Sequence, residues 1–186
     1  MTATSSRPAL KEWSAAVHAL LDGRQTVLLR KGGIGEKRFE VAAQCFLLFP
    51  TVAHSHAERV REDHRDLLAP AAADSDEDHI MLRAGAKVVA AVSVSNPDGL
   101  TDIEPLHIWT QESVREDRLD FRPKHRLTVL VVQACALTEP VRLARTSDYA
   151  GCTSWVDVPV APDWGPPVHD DATLRGIADR VWRAVG

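Results

Sequence analysis

"RLTVLVVQACAL", residues 126 to 137, is the stretch whose reading decides the fold. Its density of Val, Leu and Thr, with no glycine or proline to break it, predicts a central β-strand. "KVVAAVSVS" (87 to 95) reads the same way. "TVLLR" (26 to 30) and "CFLLFP" (45 to 50) predict two more strands of one sheet, with "FEVAA" a candidate extension of the second. "TEPVRLA", running on from residue 138, is expected to form a shorter edge segment, and "CTSWVDVPV" (152 to 160) one further strand.

Helices are expected around these runs. Leu10, Trp13, Ala16, Val17, Leu20 and Leu21 fall at helical spacing and are closed by Asp22 and Gly23. "HAERVREDHRDLLAP" reads as a short charged helix stopping before Pro70, and "AAADSDEDHI" after it as an acidic surface loop. Near the end "APDWGPPVHDD" is loop chemistry, and Leu174, Ile177, Ala178, Val181, Trp182 and Val185 mark a closing helix. Residues 1 to 8 are expected to be a disordered tail and residues 9 to 186 one domain. About six short strands with no regular strand-helix alternation argue against a doubly wound parallel sheet. The expectation is an α+β fold with a mostly antiparallel, strongly curved sheet, or a small barrel, flanked by N- and C-terminal helices.

Composition narrows the function classes. With 186 residues, 45% hydrophobic, the chain suits a single domain with a real core. A net charge of -4 gives no global attraction to nucleic acid or anionic membrane, so any such binding has to be local. Cys45, Cys135 and Cys152 are odd in number and contain no C-x-x-C pair, which favours reduced, cytoplasmic thiols over a disulfide framework or a zinc ribbon. No apolar run approaches the roughly 18 residues that a membrane span needs. Neither a cofactor nor an oligomeric state can be read from the residues.

The most suggestive surface feature is "LLRKGGIGEK" (28 to 37). From Arg24 to Arg38 the chain carries Arg24, Arg30, Lys31, Lys37 and Arg38 against Glu36, a local charge of +4. Consecutive glycine N–H groups can cradle an anion, with Arg30, Lys31 and Arg38 adding charge; the alternative is a turn joining two strands. A nucleotide P-loop is excluded, because Lys37 and not a glycine stands five places after Gly32. A second basic stretch, 115 to 126, offers Arg122, Lys124 and Arg126 as phosphate contacts, or else is a solvated loop. If the two stretches meet, Trp109 or Phe121 could stack on a base in one groove.

Other candidates are weighed by their chemistry. His107 in "LHIWT" is either an acid/base beside Trp109 or a satisfied core histidine. Cys152 could act as a nucleophile with a histidine base, Glu36 as a carboxylate beside the glycine segment, and His54 and His56 as weak metal ligands whose side chains diverge on a helix. Glu12 reads as a solvated helix carboxylate or, alternatively, as a partner leaning towards Arg30 or Lys31.

Several motifs occur in a telling order: "ALKEW", "LLRKGGI", "FLLFPT" followed by His54, "LHIWT", "FRPKHRLTVLVV" and "YAGCTSW". Together they resemble the bacterial family catalogued as domain of unknown function 1802, over about Ala9 to Trp155, with Ser55 where that family commonly has a glutamine. The family brings no catalytic residues with it. "KVVAAVSVSNPDGL" and "LTVLVVQACALTEPVRLA" are also similar in strand texture to PUA-like barrels, including ASCH and EVE modules. That likeness implies binding of RNA or modified bases, and some ASCH members are enzymes.

Three function classes follow. The first is an RNA- or DNA-directed module that reads or processes a base on a PUA-like scaffold. The second is a metal-dependent nuclease of the restriction-endonuclease-like class, weakened because Lys11, Lys31, Lys37, Lys87 and Lys124 all lack an acid two places before them. The third is a non-catalytic protein-interaction scaffold.

Overall fold

The structure, a computed structural model, describes residues 5–32 and 39–186. It contains seven strands in one sheet: β1 (Arg7–Trp13), β2 (Val27–Lys31), β3 (Cys45–Thr51), β4 (His79–Ser93), β5 (Leu127–Ala144), β6 (Trp155–Val158) and β7 (Trp164–Pro167). Their order is β2-β5-β4-β3-β1-β6, with β7 also on β5. Every pairing is antiparallel except β1 with β3. The sheet is curved and open: β2 and β6 end the strand order and do not pair with one another.

β4 and β5 form the spine. Along β5, Leu127, Val129 and Val131 enter one core cluster and Leu130, Val132 and Ala134 another, the period-2 alternation of a strand covered on both faces. Two register shifts, between Leu82 and Ala84 and between Val88 and Ala90, bend this pair. β5 is continuous to Ala144, so "TEPVRLA" extends the central strand instead of forming a separate edge segment. Its Leu82, Met81 and Ile80 partners on β4 explain why: the ladder breaks after Ala136, passes over residues 137–140, which include Pro140, and resumes at Val141.

The first expected helix is divided. Arg7–Trp13 is a strand between β3 and β6, and only Ser14–Leu21 forms helix α1. Arg7 and Pro8, expected in the tail, are rungs of β1 opposite Val158 and Asp157. The helix is buried nearly all round, with Ala15, Ala16 and Ala19 in one cluster and Val17 and Leu20 in the other. "HAERVREDHRDLLAP" breaks into α2 (His56–Arg59), a 3-10 turn (Glu62–Leu67) and α3 (Leu68–Ala72), which runs through Pro70 in its first turn.

β2 and β3 belong to one sheet, as expected, but β5 and β4 stand between them. β2 and β3 therefore do not pair as a hairpin, while Gly33 and Gly35 of the glycine segment lie outside the described residues. A long 3-10 segment (Pro97–Leu106), α4 (Gln111–Val114) and a π-helical turn (Arg115–Asp120) link β4 to β5. The final helix α5 (Asp171–Val185) docks on this link at Gly99, where a Cβ would lie 1.7 Å from the Ala184 carbonyl oxygen. Gly85 of β4 likewise leaves the space taken by the Trp164 ring. No helix among the described residues is long and apolar enough to cross a membrane.

Candidate functional site

The two basic stretches meet. Lys31, at the end of β2, donates from Nζ to the Phe121 carbonyl oxygen and, at 3.5 Å, to that of Leu119. The Arg118 Nε–H donates to Leu29 O at 3.1 Å, and His125 Nδ1 lies 3.2 Å from Gly32 O. These bonds tie the link before β5 onto the end of β2. The tie is assisted by Thr110, whose hydroxyl caps α4 by accepting from the Ser113 N–H at 3.1 Å.

Arg30 turns away from this contact. Its Nη1 donates to Lys11 O at 2.9 Å and to Glu12 Oε2 at 3.2 Å, and its guanidinium lies over the Phe39 ring. Glu12 is 3% exposed and its other oxygen accepts from the Trp13 N–H. The solvated reading of Glu12 is thus corrected: β1 carries the carboxylate inward, where it neutralises Arg30.

Beside this pair, Arg59 clasps Asp117 at 2.5 and 3.3 Å and sits over Trp13. Trp13 packs against His56, with ring centroids 4.0 Å apart, and edge-on to Trp109 at 5.3 Å. The space enclosed among Trp13, Arg59, Trp109, Asp117 and Arg118 is about 10 Å³, room for about one water. Trp109 is buried in this packing; the exposed aromatic ring beside the basic stretches is Phe121, 56% exposed, with the Arg122 guanidinium over one face.

Two hollows open on the outer side. The first, of about 160 Å³, is lined by Lys31, Arg118, Lys124, His125 and Arg126 with apolar neighbours including Leu119 and Pro97. No acidic side chain among the described residues lines it. Burial holds the Lys31 pKa below its usual range, with Arg118 pushing the same way and Asp120 partly opposing. Burial likewise lowers that of Arg118, with Glu12 opposing and Arg30 reinforcing. Arg122, a predicted phosphate contact, does not line this hollow; its φ is 50°, a left-handed conformation rare for arginine, and its guanidinium covers the Phe121 ring at 4.9 Å.

The second hollow, of about 180 Å³, shares Pro97 and Leu119 with the first and is lined by Asp98, Thr101, Glu104, His107, Gln111 and Arg115. His107 is 2% exposed; its Nδ1 accepts from the Trp109 N–H at 3.1 Å, and Arg61 grips its carbonyl oxygen. Burial, with help from the Arg61 and His64 charges, lowers the His107 pKa to about 3. His107 is therefore a neutral imidazole whose proton is on Nε2, and Nε2 has no partner among the described residues.

The remaining candidates lie elsewhere. Cys152 is exposed next to Gly151, whose carbonyl oxygen accepts from Lys11 Nζ, and no contact joins it to His107. His54 is exposed while His56 is buried under Trp13, its pKa lowered to about 4 by burial and the Arg59 charge. Among the described residues no three His, Cys, Asp or Glu side chains converge as a metal site. Glu36 and Arg38 lie outside the described residues. Asp98 and Glu104 carry no motif in the sequence, and it is the 3-10 segment Pro97–Leu106 that brings both to the second hollow.

These features define an α+β protein with a curved, mostly antiparallel open sheet and paired hollows at one end. The family model described as Domain of unknown function (DUF1802) matches residues 9–180, and the chain belongs to that family. Among solved structures it is similar to a serine-to-alanine mutant of ASCH from Zymomonas mobilis, at 12% identity over 92% of this chain and 94% of that one, with a TM-score of 0.45. It is also similar to ASCH from the same organism at 10% identity over 68% of this chain, with a TM-score of 0.41. In that case the match spans 66% of the other chain, just under two thirds of its length. No curated protein matches.

Proposed function

We propose that the protein binds single-stranded nucleic acid, seating a backbone phosphate in the basic hollow. One observation carries the reading: Lys31, Arg118, Lys124, His125 and Arg126 converge with no acidic side chain among the described lining residues, in a chain of net charge -4. Cations gathered around a hollow that no acid lines repel one another, Asp120 and Glu12 offsetting only part of this from outside it, and a phosphate relieves that repulsion while releasing counterions from the strand. Lys31 and Arg118 are fixed by bonds to backbone carbonyls, so they set the shape of the hollow. Lys124 and Arg126 are exposed and available to the strand, and Phe121 offers a ring for a base to stack on.

Fluorescence anisotropy with a labelled RNA of about twelve nucleotides, and its DNA counterpart, tests this. The double variant Lys124→Glu, Arg126→Glu should weaken binding at least tenfold at low salt and reduce the salt slope by about 2. Both side chains are exposed, so the fold should be unaffected. Unchanged affinity and slope would remove the hollow as the binding site.

A further inference from the structure

We infer that the second hollow takes a guanine base from the strand whose phosphate occupies the basic hollow. The inference rests on the nucleic-acid reading and adds a base specificity to it.

Adjacency is the first ground. The two hollows share Pro97 and Leu119 as common wall, so a nucleotide can place its phosphate on one side and its base on the other. The second hollow also has the right mixture of surfaces for a heterocycle: Leu100, Val114 and Leu119 supply apolar wall, and a few polar groups converge on it.

Hydrogen-bond polarity selects the base. His107 presents an Nε2–H donor, because its Nδ1 is occupied by the Trp109 N–H and burial keeps the ring neutral. That donor has no protein partner among the described residues and reaches the hollow that His107 lines, where an acceptor on a ligand can meet it. Asp98 and Glu104 supply acceptors on the same hollow. Glu104 is held in place by Gln111, whose Nε2 donates to Oε2 at 2.5 Å, with Arg61 Nε 3.8 Å from the other oxygen. Each carboxylate oxygen has two lone-pair sites, so acceptor capacity remains. Guanine offers two adjacent donors, N1–H and the exocyclic amino group, beside the O6 acceptor. The donors fit a carboxylate bidentately while O6 accepts from His107. Adenine, cytosine and uracil lack that pair of adjacent donors.

The test compares a single-stranded oligo(A) RNA of about twelve nucleotides with the same strand carrying one central guanine, uracil or cytosine. The single guanine should tighten binding about tenfold, and the other two substitutions should not. Glu104→Gln and, at an exposed position, Asp98→Asn should remove or sharply reduce that preference. Both should leave the salt slope of the oligo(A) strand unchanged. Lys124→Glu with Arg126→Glu should weaken all four strands together. Equal binding of all four by the wild-type protein overturns the guanine inference and leaves the phosphate reading standing, whereas no binding of any strand at low salt overturns both.

Discussion

Lowering the pH from 6.5 to 4.5 is expected to reduce the unfolding free energy by about 3–5 kcal/mol. Burial holds His107 down to about 3, with Arg61 and His64 adding to it, and holds His56 down to about 4, with Arg59 adding. In the unfolded chain both imidazoles titrate near 6.5. Their folded pKa values are depressed, so the folded state binds fewer protons than the unfolded state throughout this window. Stability is thus fully present above pH 6.5 and falls as the pH approaches the folded values. Each imidazole contributes a slope of about 1.4 kcal/mol per pH unit. Urea denaturation at a series of pH values measures the slope. The variant His56→Gln, which removes one of these groups, should lower it by about 1.4 kcal/mol per pH unit. A flat profile from pH 6.5 to 4.5 in the wild-type protein would mean that both rings are solvated, and a slope of half the expected size that one of them is.

The second large effect is expected at Glu12. Replacing it with alanine should cost about 3–5 kcal/mol, because it strands the half-buried Arg30 charge over Phe39 with, among the described residues, only the Lys11 carbonyl oxygen for a hydrogen-bond partner. Most of that penalty comes from the uncompensated charge and not from lost attraction. The double variant Glu12→Met, Arg30→Met should therefore be much less unstable than Glu12→Ala alone. Chemical denaturation of the three proteins decides the point. If Glu12→Ala costs under about 1 kcal/mol, the pair behaves as a solvent-exposed one.

These results bear on what could be read from the residues. β5, β4, β2 and β3 were legible because β-branched and leucine-rich runs bounded by breakers have few other stable uses. β1 was not. Leu10, Trp13 and Val17 keep helical spacing across the junction, and the change from strand to helix at Trp13 and Ser14 has neither a glycine nor a capping side chain to mark it. β7 was hidden in "WGPP", since proline cannot donate to a ladder and this short strand pairs with β5 at only Cys135–Pro167 and Leu137–Trp164.

The site was legible in outline only. Two basic stretches with a question about their adjacency could be seen, and they do meet. The residues offered Glu12 as a partner for Arg30 or Lys31 but could not decide between that and a solvated carboxylate, and they gave no sign that Lys31 is spent on the carbonyl oxygens of Leu119 and Phe121. Those partners lie 18, 88 and 90 positions away along the chain. The second hollow was invisible for the same reason. Its acceptors come from a polar 3-10 segment whose meaning depends on where α5 and Gly99 fix it.

Titrating single-stranded RNA into isotopically labelled protein and following backbone amide shifts tests the central claim most directly. The largest shifts should fall on Lys31 and on Arg118 to Leu127, excepting Pro123, around the basic hollow. Shifts concentrated instead near Lys11, Cys152 and the β1–β6 edge, or none at low salt, would contradict it.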